Sequence, residues 1–325
     1  LGFLSLYSLT SVSTVFFYLK NYYFLFFIFL FLHGTISSFA IFANHELKHG
    51  TVFKTNFLND FFLNIFSIIC WFNYHEYSFS HTYHHKYTLH PQGDREVLLP
   101  LKPSLNIFYL FQLFTINIFG GLESNGIVPV IKNNLITSFN FYVSEWHKSI
   151  YKGHIKERQK AIYLSRKILL FHIIFILFCL FYNLEILIIV FSLSIFICNW
   201  LRYFVGLTMH CGLKSNSFDF RKSVRSIKLN PFIEFIYWYM NYHLEHHMYA
   251  SVPCYNLKKL NSLIKQDLPK RKSLIKAWIE MRNTWKLQMS NPSYEYDTIL
   301  PTTYSKNSNY KEFDIHNSFG KLSPN

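Results

Sequence analysis

Residues 22–43 contain no Asp, Glu, Lys or Arg, and across residues 168–201 the only such residue is Glu185. Uncharged apolar runs of this length leave few folding options. About 20 apolar residues wound as a helix cross roughly 30 Å of hydrocarbon. Lipid tolerates only backbone that pairs its own polar groups. Residues 22–43 are therefore expected to span once. Residues 168–201 are long enough for two helices turning near Asn183-Leu-Glu185. Residues 1–19 form a further apolar stretch. No basic region precedes it and no clear small-residue cleavage site follows, so it reads as a span rather than a signal peptide. The absent initiator Met suggests that the sequence starts inside a longer chain. The expected fold is an all-α integral membrane protein with two transmembrane hairpins. Its spans run over about 1–19, 22–43, 168–182 and 184–205. A histidine-rich cap on the cytoplasmic face covers 45–166 and 210–289.

Three histidine clusters adjoin apolar stretches: His45-Glu-Leu-Lys-His49, His81-Thr-Tyr-His84-His85 and His243-Leu-Glu-His246-His247. Residues three and four apart share a helix face. HxxxH therefore aims two imidazoles one way, and HxxHH aims three. Imidazole suits iron, copper and zinc. Eight convergent imidazoles are too many for one ion but fit two. A lone histidine is more often a core or surface residue than a ligand; three clusters at matched helical spacing argue against that reading here.

The formal net charge of +14 is concentrated in runs at 152–167, 214–228 and 258–276. Such runs stay on the cytoplasmic side and attract anionic headgroups. Because they border apolar spans, they argue for a membrane surface and against nucleic acid. Five cysteines show neither CxxC spacing nor even number, which reads as reduced thiols. Parity fixes the topology. If the three clusters build one site, an even number of crossings must separate each pair. Two hairpins, turning at Lys20-Asn21 and near Asn183, satisfy this and leave the basic runs on the histidine side. Residues 57–73 and 105–119, apolar but interrupted by Asp60, Asn64, Asn106, Gln112 and Asn117, are then expected to lie in the membrane plane or re-enter it. Residues 231–241 read as a helix at the cytoplasmic face. Residues 257–265 read as an amphipathic surface helix, and 290–325 as a polar tail after a domain over 1–289.

The order HxxxH, HxxHH, HxxHH around two apolar hairpins resembles the membrane fatty acid desaturase and hydroxylase superfamily, over roughly residues 22–260. The first box is closer to the acyl-lipid type. The third box opens with His243 rather than Gln, a poorer match to front-end desaturases. The resemblance implies a pair of non-haem irons that uses O2 to attack an unactivated C–H bond of an acyl chain, with desaturation as the leading reaction. A hydroxylase or related oxygenase on the same scaffold is the alternative; a metal transporter is more remote, since the clusters lie at span ends and not at the midplane. The resemblance also implies a ninth ligand, His210 in Leu207-Thr-Met-His-Cys-Gly212. One branch of the family carries Asn four residues earlier, where this chain has Gly206; Asn199 and Asn241 are weak substitutes.

Asp94 and Glu245 are the carboxylates expected to receive the outer N–H of a ligating imidazole, and His90 closely follows the second box. His33 and His172 are expected to pack, hydrogen-bonded, within the spans. His75, His147, His154 and His316 have no spacing partner. Each turnover needs electrons. His90-Pro-Gln-Gly93 lacks the second glycine of a haem-binding HPGG, and no CxxC cluster offers an iron–sulfur site. An external donor such as a ferredoxin or cytochrome b5 is therefore expected, docked on the basic surface by charge complementarity.

Overall fold

The structure, a computed structural model, describes residues 1–97, 99, 101–121 and 125–301. It is mostly helical. α1 (Gly2–Leu19) and α2 (Tyr23–Ser38) form a hairpin, and after a break at Phe39 α2 continues as α3 (Ala40–Lys48). There follow α4 (Asn56–Ile69), α5 (Tyr74–Lys86), α6 (Ile107–Phe114), α7 (Ile127–Ser138), α8 (Glu145–Ile150) and the long α9 (Ile155–Phe181). The chain then breaks into α10 (Glu185–Leu187), a π-helical turn Ile188–Ser192, a 3₁₀ turn Ser194–Phe196 and α11 (Trp200–Gly206). The C-terminal part holds α12 (Phe220–Ser223), α13 (Pro231–Ile236), α14 (His243–Met248), α15 (Leu257–Leu263) and α16 (Leu274–Ser290). Two short parallel strands, β1 (Ile227–Lys228) and β2 (Lys272–Ser273), tie α16 to the stretch before α13. The polar tail expected over 290–325 is described only to residue 301, and His316 lies outside the described residues.

Among the described residues, three helices are long and apolar enough to cross a membrane: Gly2–Leu19, Tyr23–Lys48 and Ile155–Phe181, of 18, 26 and 27 residues. At 1.5 Å per residue the second is about 39 Å long, some 9 Å more than the hydrocarbon requires. Its last turns, with His45, can therefore emerge from the lipid. α9 has a similar surplus, so the basic run at 152–167 is largely the exposed start of this helix. Both hairpin turns place an Asn in the left-handed region, Asn21 at φ 57° and Asn183 at φ 54°, which Asn tolerates better than most residues. Each turn closes with a backbone bond back across it, Tyr22 N to Phe17 O at 3.0 Å and Leu184 N to Cys179 O at 2.7 Å.

The fourth expected span, 184–205, is not one helix. Residues 196–198 leave the helical ladder and pair instead with the strand-like end of α6. Asn117 N donates to Phe196 O and Cys198 N to Thr115 O, each at 2.8 Å. The carbonyls so freed are taken up by buried side chains, as apolar surroundings demand. Val190 O accepts from His33 Nε2 at 2.8 Å, Ser192 O from Trp71 Nε1 at 2.8 Å, and Cys198 O from Thr35 Oγ1 at 3.2 Å. His172 joins in through the Ser192 hydroxyl at 2.9 Å and donates from Nε2 to Ile68 O, also at 2.9 Å. The two in-span histidines thus satisfy a broken helix. In the segment expected to lie in-plane, α4 packs Leu63 and Phe66 into a core with Phe39, Ala43, Leu47 and Tyr237.

Gly34 faces this break. A Cβ there would stand 2.6 Å from Ile197 O, so Gly34→Ala is expected to cost about 1–3 kcal/mol through overpacking. Gly206, helical with nothing within 4 Å of its Cβ position, is expected to gain up to about 1 kcal/mol on substitution by Ala. Thermal melts of the two detergent-solubilised variants check both signs; equal shifts would refute the packing at Gly34.

Candidate metal centre

Four separate stretches deliver the histidines. α3 ends in His45 with His49 as its C-cap, α5 carries His81, His84 and His85, and α14 carries His243, His246 and His247. His210 caps the 3₁₀ turn Leu207–Met209 that follows α11. α5 is started by Asn73, whose side chain accepts from Glu76 N. α14 is aimed by a reversal in which Trp238 and Tyr239 both adopt positive φ, 53° and 58°. Such angles are costly for aromatic residues and persist only where packing holds them. Here Tyr239 N bonds Glu234 O at 2.8 Å and closes α13.

The nine imidazoles divide into two groups, His45, His49, His81, His85 and His246 in one and His84, His210, His243 and His247 in the other; the ligand atoms within a group all lie within 4.8 Å of one another. Helix geometry explains the division. On α5 the i,i+4 pair His81/His85 faces the first group and His84 the second. On α14 the i,i+4 pair His243/His247 faces the second and His246 the first. His210 is brought in from 33 residues before the third box.

Inside each group the Nε2 atoms face one another. His49 to His81 is 3.3 Å, His81 to His85 2.9 Å and His85 to His246 3.1 Å. In the second group His84 to His210 is 3.2 Å, His210 to His243 2.9 Å and His243 to His247 3.2 Å. Two nitrogens bound at about 2.1 Å to one ion at octahedral or tetrahedral angles sit roughly 3.0–3.4 Å apart, so these separations suit a shared cation.

The outward nitrogens decide between a cation and a hydrogen-bonded network. His45 Nδ1 meets Glu46 Oε1 at 2.8 Å, His81 Nδ1 meets Glu96 Oε2 at 2.6 Å, and His84 Nδ1 meets Asp94 Oδ2 at 2.9 Å. His210 Nδ1 meets the Ser223 carbonyl at 3.0 Å. Thr88 spends its hydroxyl proton on His84 O at 2.6 Å, so toward His247 Nδ1, 3.1 Å away, it accepts. Asp94, the Ser223 carbonyl and Thr88 must accept, so His84, His210 and His247 carry the proton on Nδ1 and turn Nε2 inward. Lone pairs facing lone pairs repel. The buried His45 Nε2 has no hydrogen-bond partner among the described residues. A pair of cations satisfies this arrangement and protein groups alone do not. The residues present fit two metal ions.

Electrostatics agree. Burial first, then repulsion among the rings, holds His81, His243, His246 and His247 well below the usual imidazole value, with His85 at about 2 and His210 at about 3. These rings stay neutral, the form that ligates. Burial would raise the Asp94 carboxyl, but His84 and the backbone N–H groups of Glu96 and Val97 outweigh it and hold it at about 2.

Of the expected supporting residues, Asp94 reaches an imidazole and the others do not. Glu245, two positions beyond His243, points to the opposite side of α14 and accepts from Ser226 at 2.5 Å and from Asn261. Asn241 donates to Glu234 Oε1 at 3.0 Å and to Ile227 O at 3.3 Å, away from both groups. The His90 ring lies in neither group; its carbonyl accepts from Asp94 N at 2.9 Å and shapes the turn that presents the carboxylate. Asn199 is buried before α11 and makes no contact with the rings that the structure records. Sequence reasoning missed Glu46, Glu96, Thr88 and Ser223. Adjacency to His45 could have flagged Glu46, and the run from His90 to Glu96 could have flagged Glu96. Nothing local signals a backbone carbonyl or a threonine.

No curated protein matches the chain. The family model for fatty acid desaturase matches residues 21–278, an interval that contains all nine convergent histidines and Asp94. The chain belongs to the fatty acid desaturase family.

Proposed function

We propose that this protein is a di-iron oxidoreductase of membrane lipids that desaturates an acyl chain, drawing electrons from an external donor, with its metal site on the cytoplasmic face. The observation that carries this reading is the set of nine convergent imidazoles in two groups, each ring offering one ligand atom to its group. His45, His49, His81, His85 and His246 would hold one ion, and His84, His210, His243 and His247 the other. A bound pair of irons would supply the O2-dependent attack on an alkyl C–H bond that no side chain can make.

The chain's own part is positioning and exclusion. Glu46, Glu96, Asp94, the Ser223 carbonyl and Thr88 fix ring orientation and tautomer. Seven of the nine ring carriers are buried, with His246 at 0 % and His84 at 2 % exposure, which limits the water that could compete for the reactive positions. An acyl chain would approach from the lipid-facing helices, whose exposed side chains include Phe24, Phe27 and Phe181. The basic runs on the histidine side would receive an acidic electron donor.

Product analysis tests the reaction. Membranes given lipid substrate, reductant and donor should yield acyl chains lighter by two hydrogens; hydroxylated chains instead would assign the alternative chemistry. His210→Ala should lower iron per protein and activity as far as His84→Ala does, because each leaves an open position in the same group. Normal iron in His210→Ala would remove it from the ligand set. Asp94→Asn, which loses a strong acceptor but keeps the shape, should weaken metal affinity about 10–100-fold. Metal removal by chelation should lower the melting temperature, and ferrous iron should restore it, since the buried rings otherwise face one another unpaired. A melt indifferent to chelation would count against a buried metal centre.

A further inference from the structure

At the start of α9, outside the two histidine groups, a cavity of about 220 Å³ is lined by Tyr142, Tyr151, Arg158 and Gln159 among others. That is several times the ~30 Å³ share of one water in the liquid. Arg158 is only 4 % exposed, and so is Tyr151. The guanidinium is clamped. Nη1 approaches Glu76 Oε1 at 3.4 Å, Nη2 donates to Phe141 O at 2.6 Å, and the rings of Tyr142 and Tyr151 lie 4.7 and 5.3 Å from it. Glu76 is shared with Thr137 at 2.9 Å and His147 at 3.0 Å, so it offsets Arg158 only in part. Arg158 Nε and the Tyr151 hydroxyl are buried without a hydrogen-bond partner among the described residues. The Tyr151 hydroxyl lies against the Arg158 guanidinium, which can only donate, so the hydroxyl proton is left for an acceptor; with both residues lining a cavity, the arrangement suits an anion with acceptor oxygens.

The surroundings narrow the anion. Phe139, Phe141 and Ile155 flank the site and are 70 %, 68 % and 72 % exposed. Lys152 and Lys156 are exposed beside them. About 20 of the 27 residues of Ile155–Phe181 suffice to cross the hydrocarbon, which leaves the turns around Arg158 at headgroup depth. An apolar rim around a cationic pocket at that depth suits a ligand that is phosphate at one end and hydrocarbon at the other. We propose that the Arg158–Tyr151 cavity binds the phosphate of an anionic phospholipid. This site stands independently of the reaction assigned above.

Lipid retention tests it. The full chain is placed in phosphatidylcholine nanodiscs with and without phosphatidylglycerol, or in detergent with inorganic phosphate. Bound lipid is read by native mass spectrometry and stability by melting temperature. Phosphatidylglycerol should be retained over phosphatidylcholine and should raise the melting temperature, whereas phosphate alone should do neither. Arg158→Gln should cut retention about tenfold or more. Tyr151→Phe keeps the ring and should weaken retention without shifting the lipid-free melt. Lys152→Gln with Lys156→Gln should cost about fivefold per charge. If Arg158→Gln fails to fold, the other two variants decide. Equal retention of the two lipids, protection by phosphate as strong as by lipid, or unchanged retention in Tyr151→Phe and the lysine pair would each overturn the proposal.

Discussion

The arrangement around which the rest of the structure is organised is lone pair against lone pair. Nine imidazoles in two tight groups present basic nitrogen atoms to one another at about 3 Å. Five of the rings are locked by a partner on the outer side, and the inner side calls for something positive. The outer partners are drawn from three places in the chain: Glu46 on α3, Thr88 with Asp94 and Glu96 after α5, and Ser223 at the end of α12. The short helices and turns of the C-terminal half carry little apolar area of their own. Their order follows from the need to deliver α14 and the Ser223 carbonyl to the rings.

The same physics runs in reverse inside the apolar layer. There the polar groups face no water, and the broken stretch around residues 196–198 would be prohibitive if left alone. The chain answers with partners placed far away in sequence. His33 reaches Val190, Trp71 reaches Ser192, and the backbone of residues 115–117 reaches Phe196 and Cys198. The break also ends the ladder just before α11, the short helix that leads to His210. A straight fourth helix would leave the end of α6 without these backbone partners.

Much of this was legible in the sequence. The charge-free stretches announced the spans, because only self-paired backbone tolerates lipid. The turns after α1 and α9 were legible because a polar residue interrupts each apolar run, and Asn21 and Asn183 do take the left-handed turn conformation. The convergence of the eight box histidines was legible because helical spacing places imidazoles on one face without any long-range information. Asp94 was legible from its place just after the second box.

Tertiary structure decided the rest, and the reason is separation along the chain. Spacing showed that α5 presents three imidazoles but not that His84 leaves its neighbours for the opposite group; that depends on where α14 and His210 stand. Glu245 was a reasonable carboxylate by proximity, yet helix rotation turns it away and hands it to Ser226. The Ser223 carbonyl and Thr88 carry no sequence signature, since any residue has a carbonyl and any hydroxyl can accept. The break near Cys198 was hidden for the same reason: residues 184–205 are apolar enough for a helix, and only the approach of Asn117 and Thr115 makes a different set of backbone bonds available. Local pattern fixed which residues could ligate and which segments could cross the lipid. The packing of distant segments fixed which imidazoles stand together and which groups hold their rings.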